Sequence, residues 1–369
     1  MTASRGGRSC ASCRTWWRST SRSWRPEMKA MVLCAGLGTR LRPLTERWPK
    51  PAMPFLGQPL LRYHLAVLKA AGVTAVGINT HHLPDTMEAV ARAECARAGL
   101  PLHVVNEPVI QGTGGGIRGL RDFLSDGDFI VFNGDILYPV DLRPVVALHQ
   151  ASGALATMVL QPMPAGETYA AVELDAEGRV RRIAGHGPGG EGLSPWHFTG
   201  VHVMSPRVFD FMSPRGEEDI NRGVYVRAME AGQMVRGVRV DGYWSDLGTP
   251  SRYLATVQDV LAGHVRLEWL GADSPLAGTV RGASGTWAHA EARLDGTAEG
   301  PVYLGRGSAV AAGAAVGPGV SLEPGAKVAA GARLSRATVF EDTEVSSGES
   351  LSEVLAWGAH RIAAPLKGR

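Results

Sequence analysis

LCAGLGTRLRPLTERWPKP, residues Leu33 to Pro51, joins a glycine turn, one arginine and a Pro-Lys-Pro. The six residues before its turn, Met28-Lys29-Ala30-Met31-Val32-Leu33, are apolar enough for a buried strand. Gly57 to Ala71, just after it, has helical apolar spacing. A glycine-rich turn at the end of a first parallel strand is where α/β proteins bind phosphates. Arg40 and Lys50 then supply the charge that a triphosphate needs.

Working outward, strands and helices alternate through the first 150 residues. Val73 to Thr80, Leu102 to Val105 and Phe129 to Asn133 read as strands. Asp85 to Ala98, Gly116 to Leu124 and Leu142 to Ser152 read as helices. This alternation predicts a Rossmann-like, mainly parallel mixed sheet covered by helices on both faces. From Ala154 the helices drop out. Ala154 to Gln161, Ala171 to Asp175, Val180 to Ile183 and Phe198 to Met204 predict an antiparallel or mixed extension of the sheet. A helix at Ile220 to Ala231, a strand near Val235 to Val240 and a closing helix at Ser251 to Ala262 follow.

After about Gly263 the composition shifts to Gly, Ala and Val. Leu304, Val310, Val316, Leu322, Val328 and Leu334 recur every six residues. The register slips by one, and Val339, Val345, Leu351 and Trp357 continue at six. That period fits neither an α-helix nor an alternating strand. It fits a hexapeptide parallel β-helix with apolar residues pointing into a prism-shaped core. The pattern divides the chain into a tail at 1–27, a catalytic α/β domain at 28–263, a linker or capping coil at 264–300 and a left-handed β-helix at 301–369.

With 44% hydrophobic and 20% charged residues, the 369-residue chain reads as a soluble globular protein with room for two domains. No stretch approaches the roughly 18–20 apolar residues of a membrane span. The net charge of +3 misleads, because residues 1–27 carry +5 and the remainder −2. The folded body therefore offers no case for nucleic acid binding. Those 27 residues lack an apolar h-region, and they read as a disordered tail or an early-assigned start, since Met28 opens the first strand. Cys10 and Cys13 have no second pair to complete a zinc site, and Cys34 and Cys95 sit in apolar contexts. This is a reduced, cytoplasmic pattern.

Gly36-Leu37-Gly38-Thr39-Arg40-Leu41 is not a dinucleotide fingerprint, which needs glycine where Leu41 stands. Nor does it end as a P-loop does. Joined to Pro43-Leu44-Thr45 and Pro49-Lys50-Pro51, it resembles the signature of the sugar-1-phosphate nucleotidyltransferases, with mannose-1-phosphate guanylyltransferases among the nearest in pattern. The resemblance covers about residues 28–263, and the repeats match the C-terminal β-helix of many members. It implies condensation of an NTP with a sugar 1-phosphate, releasing pyrophosphate.

The resemblance implies roles for particular residues. Ala35, Gly36, Gly38 and Thr39 present backbone to the phosphates, Arg40 neutralises the leaving pyrophosphate, and Lys50 reaches the phosphates joining the substrates. Asp135, ending the buried strand Phe129 to Asn133, and Asp246 in Tyr243-Trp244-Ser245-Asp246 match the pair that holds Mg²⁺. Glu107 and the turn Gln111 to Gly116, including Gly112 and Thr113, meet the nucleobase. Glu107 could accept from two donors, which favours GTP over UTP. Asn133, Glu173, Thr199 and Gly200 fall on the sugar-binding strands. Many members follow with a Glu-Lys-Pro whose lysine holds the sugar phosphate; here Arg181-Arg182-Ile183-Ala184-Gly185-His186-Gly187 has no lysine.

The expected activity is GDP-mannose synthesis. Alternatives are a uridylyl- or thymidylyltransferase, a non-catalytic NDP-sugar-binding subunit, and a bifunctional enzyme whose β-helix, with His289 or His360, transfers an acyl group. The repeats are expected to make a homo-oligomer.

Overall fold

Met28–Leu33 lies at the centre of the first sheet of the computed structural model, which describes residues 28–164, 166–282 and 285–366. The expectations for residues 1–27, including Cys10 and Cys13, lie outside the described residues. Val73–Thr80 and Phe129–Asn133 flank the central strand in parallel, and Leu102–Asn106 extends the Val73 side. Successive side chains of a strand point to opposite faces. Val32, Ile78 and Ile130 accordingly pack on one face with Leu61, Leu65 and Met87 of helices Leu60–Ala70 and Pro84–Ala98. Met31, Phe129 and Val131 pack on the other with Ile117 and Tyr225.

The sheet then turns mixed, as the loss of helices predicts. Ser194–Met204 runs antiparallel to Phe129–Asn133 through Val201–Met204, and to Ala171–Leu174 through Ser194–His197. It also pairs with Ala156–Gln161, and Val235–Arg239 joins Ala156–Gln161 in parallel. The long strand breaks register between Phe198 and His202. Gly200 sits in that break at φ +88°, and a Cβ there would lie 2.7 Å from Asn133 Nδ2. Only glycine suits both the angle and the space. The bend therefore leaves room for Asn133 at the open end of the central strands.

The C-terminal strands stack in parallel ladders. Val302–Leu304 pairs with Val320–Leu322 at an offset of 18 residues, and Val320–Leu322 with Ala337–Val339 at 17. Two further ladders run through Ala309 to Lys327 and Ala315 to Arg333. The slip read between Leu334 and Val339 falls at Arg336, whose φ of +42° turns the chain; Glu353, one coil on, repeats the turn at +55° and accepts from Arg336 Nε at 3.2 Å. The six-residue positions from Leu304 to Leu351 are all buried, and Trp357 is half-buried. The ladders also take in Thr286–His289, within the segment read as linker or capping coil. His289 and His360 have local partners: His289 Nδ1 accepts from Glu291 N, and His360 stacks on Trp357.

The two parts share one apolar core. Leu41, Leu44 and Trp48 of the opening segment pack with Tyr253, Tyr303, Phe340 and Leu355. Trp48 stacks on Phe340 at 5.4 Å between ring centres. From the stack, the buried Glu323 carboxylate accepts the backbone N–H groups of Leu56 and Gly57 and the Ser321 hydroxyl. Among the described residues no helix is long and apolar enough to cross a membrane.

Candidate active site

The central strands part beyond Leu33 and Asn133. Gly134 N donates to Leu33 O at 3.1 Å, and a Cβ at Gly134 would lie 2.5 Å from that oxygen. A cavity of about 220 Å³ opens there, lined by Ala35, Gly36, Lys50, Glu107, Gly112, Thr113, Asn133 and Asp135. Residues predicted from distant parts of the chain thus meet in one place. A Cβ at Gly36 would touch nothing in the protein. Its missing side chain relieves no clash and instead bares the backbone to a ligand. Gly38, at φ +63°, ends the turn, and Thr45 Oγ1 donates to its carbonyl at 2.9 Å. Thr39–Leu41 forms a short 3₁₀ turn that projects Arg40 to solvent. The Arg40 guanidinium reaches Gly248, where a Cβ would lie 2.7 Å from its Nη2.

The base-side segment corrects the sequence reading. Gln111 to Gly116 is not a turn ahead of a helix; the helix already starts at Gly112 and runs to Gly119. Glycine is a poor helix former, so tertiary packing overrides propensity here. A Cβ at Gly112 would lie 2.6 Å from Glu218 O, and one at Gly116 2.6 Å from Asn79 Nδ2. The glycines let this helix press against both neighbours. Thr113 Oγ1 accepts from Ile220 N at 2.9 Å, and Gly114 N donates to Glu218 O at 2.8 Å. Glu107 is buried, with Oε1 accepting from Asn79 Nδ2 at 2.8 Å and Oε2 from Gln111 N at 2.9 Å. Each oxygen already holds one donor, so Glu107 shapes the helix entrance and keeps one lone pair per oxygen for a ligand. Asn79 also accepts from Cys34 N at 2.9 Å, tying this corner to the phosphate turn. Burial pushes the Cys34 thiol far up, so it stays protonated and inert.

The acidic pair is assembled by a two-stranded ladder. Asp246 pairs with Ile136, and Leu247 N donates to Asp135 O at 2.8 Å. Each carboxylate is neutralised by a cation: Lys50 Nζ lies 2.7 Å from Asp135 Oδ2, and Arg252 Nη1 lies 2.9 and 2.6 Å from the two oxygens of Asp246. Tyr169 OH also donates to Asp246 Oδ2 at 2.9 Å. Among the described residues no three His, Cys, Asp or Glu side chains cluster as a metal cage. Asp135 lines the cavity and Asp246 lies on the adjoining strand; a pair of carboxylates is a donor set that could hold Mg²⁺ if phosphates and water completed its shell.

On the sugar-side strands, Glu173 faces Arg182 at 3.4 Å. Thr199 is fully buried; its hydroxyl donates to Val159 O at 2.8 Å and its carbonyl accepts from Trp244 Nε1 at 2.7 Å, so it braces the strand. His197 is packed between Tyr169 and Trp244, 4.4 and 4.3 Å between ring centres. Burial pushes its imidazole down to about 4, and it is neutral near pH 7.

Residues 29–263 match the family described as nucleotidyl transferase. The chain belongs to the nucleotidyl transferase family. This nucleotidyltransferase is similar, at 27% identity over 350 residues, to the UTP–glucose-1-phosphate uridylyltransferase of Synechocystis, covering 91% of this chain and 88% of the relative. It is 31% identical over 243 residues to the mannose-1-phosphate guanyltransferase of Schizosaccharomyces pombe, covering 62% of each chain. The mannose-1-phosphate guanylyltransferase of Mycobacterium tuberculosis is 31% identical over 240 residues, 64% of this chain and 66% of its own. A Bacillus anthracis crystal structure, assigned as a glucose-1-phosphate thymidylyltransferase with bound sucrose, shares the fold at a TM-score of 0.54 and 23% identity, over 65% of this chain and 96% of that one.

Sequence reasoning missed three residues of this nucleotidyltransferase site: Arg252, Tyr169 and Glu167. Arg252 Nη2 donates to Glu167 Oε2 at 2.6 Å, and its guanidinium lies 5.2 Å from the Tyr169 ring centre. A signal for Arg252 was present. Thr249 and Pro250 mark a helix start, and Thr249 Oγ1 accepts from Arg252 N at 3.3 Å, which places Arg252 in the first turn directly after the Asp246 ladder. Tyr169 and Glu167 carry no such signal.

Proposed function

We propose that this nucleotidyltransferase moves a nucleotidyl group from an NTP to a sugar 1-phosphate, giving an NDP-sugar and pyrophosphate. The observation that carries this reading is the cavity that joins Gly36, Lys50 and Asp135 to the Glu107 corner. The bare backbone at Gly36 receives the triphosphate, with Arg40 at its solvent end. Lys50 is held ready by Asp135 and can exchange that partner for a phosphate oxygen. Asp135 and Asp246 would hold Mg²⁺, which when bound screens the charge between the two phosphate-bearing substrates. The sugar phosphate is already an anionic nucleophile, so no general base is required. The protein's part is to align it with the α-phosphorus, opposite the leaving pyrophosphate, and to exclude competing charge.

For the substrates, we favour GTP and mannose 1-phosphate. The free lone pairs of Glu107 match the two donors on guanine's edge, and relatives of that name support the pair. A second reading, UTP and glucose 1-phosphate, is favoured by the uridylyltransferase likeness that extends over 91% of the chain. Pyrophosphate release from each NTP with each sugar 1-phosphate separates the two. The C-terminal stack is read as a left-handed parallel β-helix on the strength of its six-residue period and parallel ladders. It is also proposed as the surface of a homo-oligomer, since Val280 and Leu294 stand exposed on it. A monomeric mass by light scattering would remove that assignment.

A further inference from the structure

Arg252 is placed oddly for a structural cation. It leaves the first turn of helix Pro250–Leu261, where a positive charge meets the unfavourable end of the helix dipole. Its position is held instead by two acids: Nη1 takes both oxygens of Asp246, and Nη2 takes Glu167. Asp246 and Glu167 come from different parts of the chain and converge on one guanidinium that is still about a quarter exposed. The neighbouring Lys50 shows the same arrangement, a cation stored on Asp135. The two stored cations differ in place. Lys50 lines the cavity, whereas Arg252 is not among its lining residues and lies beside Tyr169, which packs against His197 of the long sheet strand. The buried His197 adds polar capacity there that the fold leaves unused, since neither of its ring nitrogens has a hydrogen-bond partner among the described residues.

We propose that Arg252 is the residue that receives the phosphate of the sugar 1-phosphate. This rests on the reaction class stated above. Were Asp246 to engage a cation, Arg252 would lose the carboxylate that it now holds. The Nη1 N–H groups would then be free to donate to a phosphate oxygen, a charge-assisted contact. Glu167 keeps Nη2 and so holds the guanidinium in place. The arrangement stores the positive charge on the acid until an anion replaces it.

The test compares wild type, Arg252→Gln and Arg252→Lys. Steady-state kinetics give separate KM values for NTP and sugar 1-phosphate, and calorimetry follows binding of mannose 1-phosphate and glucose 1-phosphate. The expected result is a rise of about thirtyfold or more in KM and Kd for sugar 1-phosphate in Arg252→Gln, the loss of a charge-assisted contact. The KM for NTP stays within about twofold, and Arg252→Lys recovers part of the loss. Equal rises in both KM values with a changed Mg²⁺ dependence would show that Arg252 only positions Asp246, and would overturn the proposal. Unchanged sugar-phosphate affinity in both variants would overturn it too. If wild type releases no pyrophosphate but binds sugar phosphate through Arg252, the reaction falls and this assignment stands. If wild type binds neither sugar phosphate, both fall.

Discussion

Replacing Glu323 by glutamine should change how stability depends on pH. Glu323 reaches from the C-terminal stack into the catalytic part, with no exposed surface, and accepts from Leu56 N, Gly57 N and Ser321. Burial pushes its carboxyl up to about 7, against the pull of those donors, from an ordinary value of 4.5. Between those values the folded protein keeps a proton that the unfolded chain has lost. Stability from this group is therefore full below about 4.5, falls as pH rises, and levels off above about 7. The span is roughly 3 kcal/mol at about 1.4 kcal/mol per pH unit. The wild-type profile alone would hide it. His64, His197 and His202 are pushed by burial to about 4, 4 and 3, so below about 6.5 the unfolded chain takes protons that the native state refuses. Their contribution rises with pH and opposes that of Glu323. The difference between wild type and Glu323→Gln cancels the histidines. Urea unfolding at about pH 5.5 and about pH 8 should show the mutant gaining roughly 2 kcal/mol on wild type between the two. Parallel profiles would refute a buried, proton-holding carboxylate at this junction.

Three other outcomes follow from the same geometry. Gly116→Ala should lower stability by about 1–3 kcal/mol and raise the KM for NTP, because its Cβ would lie 2.6 Å from Asn79 Nδ2 and 2.9 Å from Glu107 Oε1; thermal unfolding and kinetics check it. Phe340→Ala should cost about 3–5 kcal/mol and also weaken NTP binding, since Phe340 stacks on Trp48 behind the phosphate segment; calorimetry with NTP reads the second effect. Asp135→Asn and Asp246→Asn should each lower Mg²⁺-dependent turnover by about a thousandfold with circular dichroism unchanged; near-wild-type rates in both would remove the metal assignment.

Much of this was legible along the chain. The strand Met28–Leu33, the strand Val73–Thr80 and the buried run Phe129–Asn133 are local apolar patterns, and the structure places them side by side. The six-residue run from Leu304 is equally local, and so is the slip after Leu334. The helix Gly112–Gly119 was not legible, because its glycines answer to Glu218 and Asn79, which lie far off in sequence. The clasp of Arg252 on Glu167 spans 85 positions and that of Glu323 on Gly57 spans 266. Neither partner has a pattern of its own. Glu107 shows the same limit within the site. It lines the cavity, and its hydrogen bonds to Asn79 and Gln111 depend on the folded corner.

The most direct measurement of the proposed reaction is pyrophosphate release with Mg²⁺, using GTP, UTP, dTTP and ATP against mannose 1-phosphate and glucose 1-phosphate. The expected result is Mg²⁺-dependent release of pyrophosphate with formation of the matching NDP-sugar, strongest for GTP with mannose 1-phosphate. An NDP-sugar that binds, with no pyrophosphate from any pair, would contradict it and mark the chain as a non-catalytic sugar-nucleotide-binding subunit.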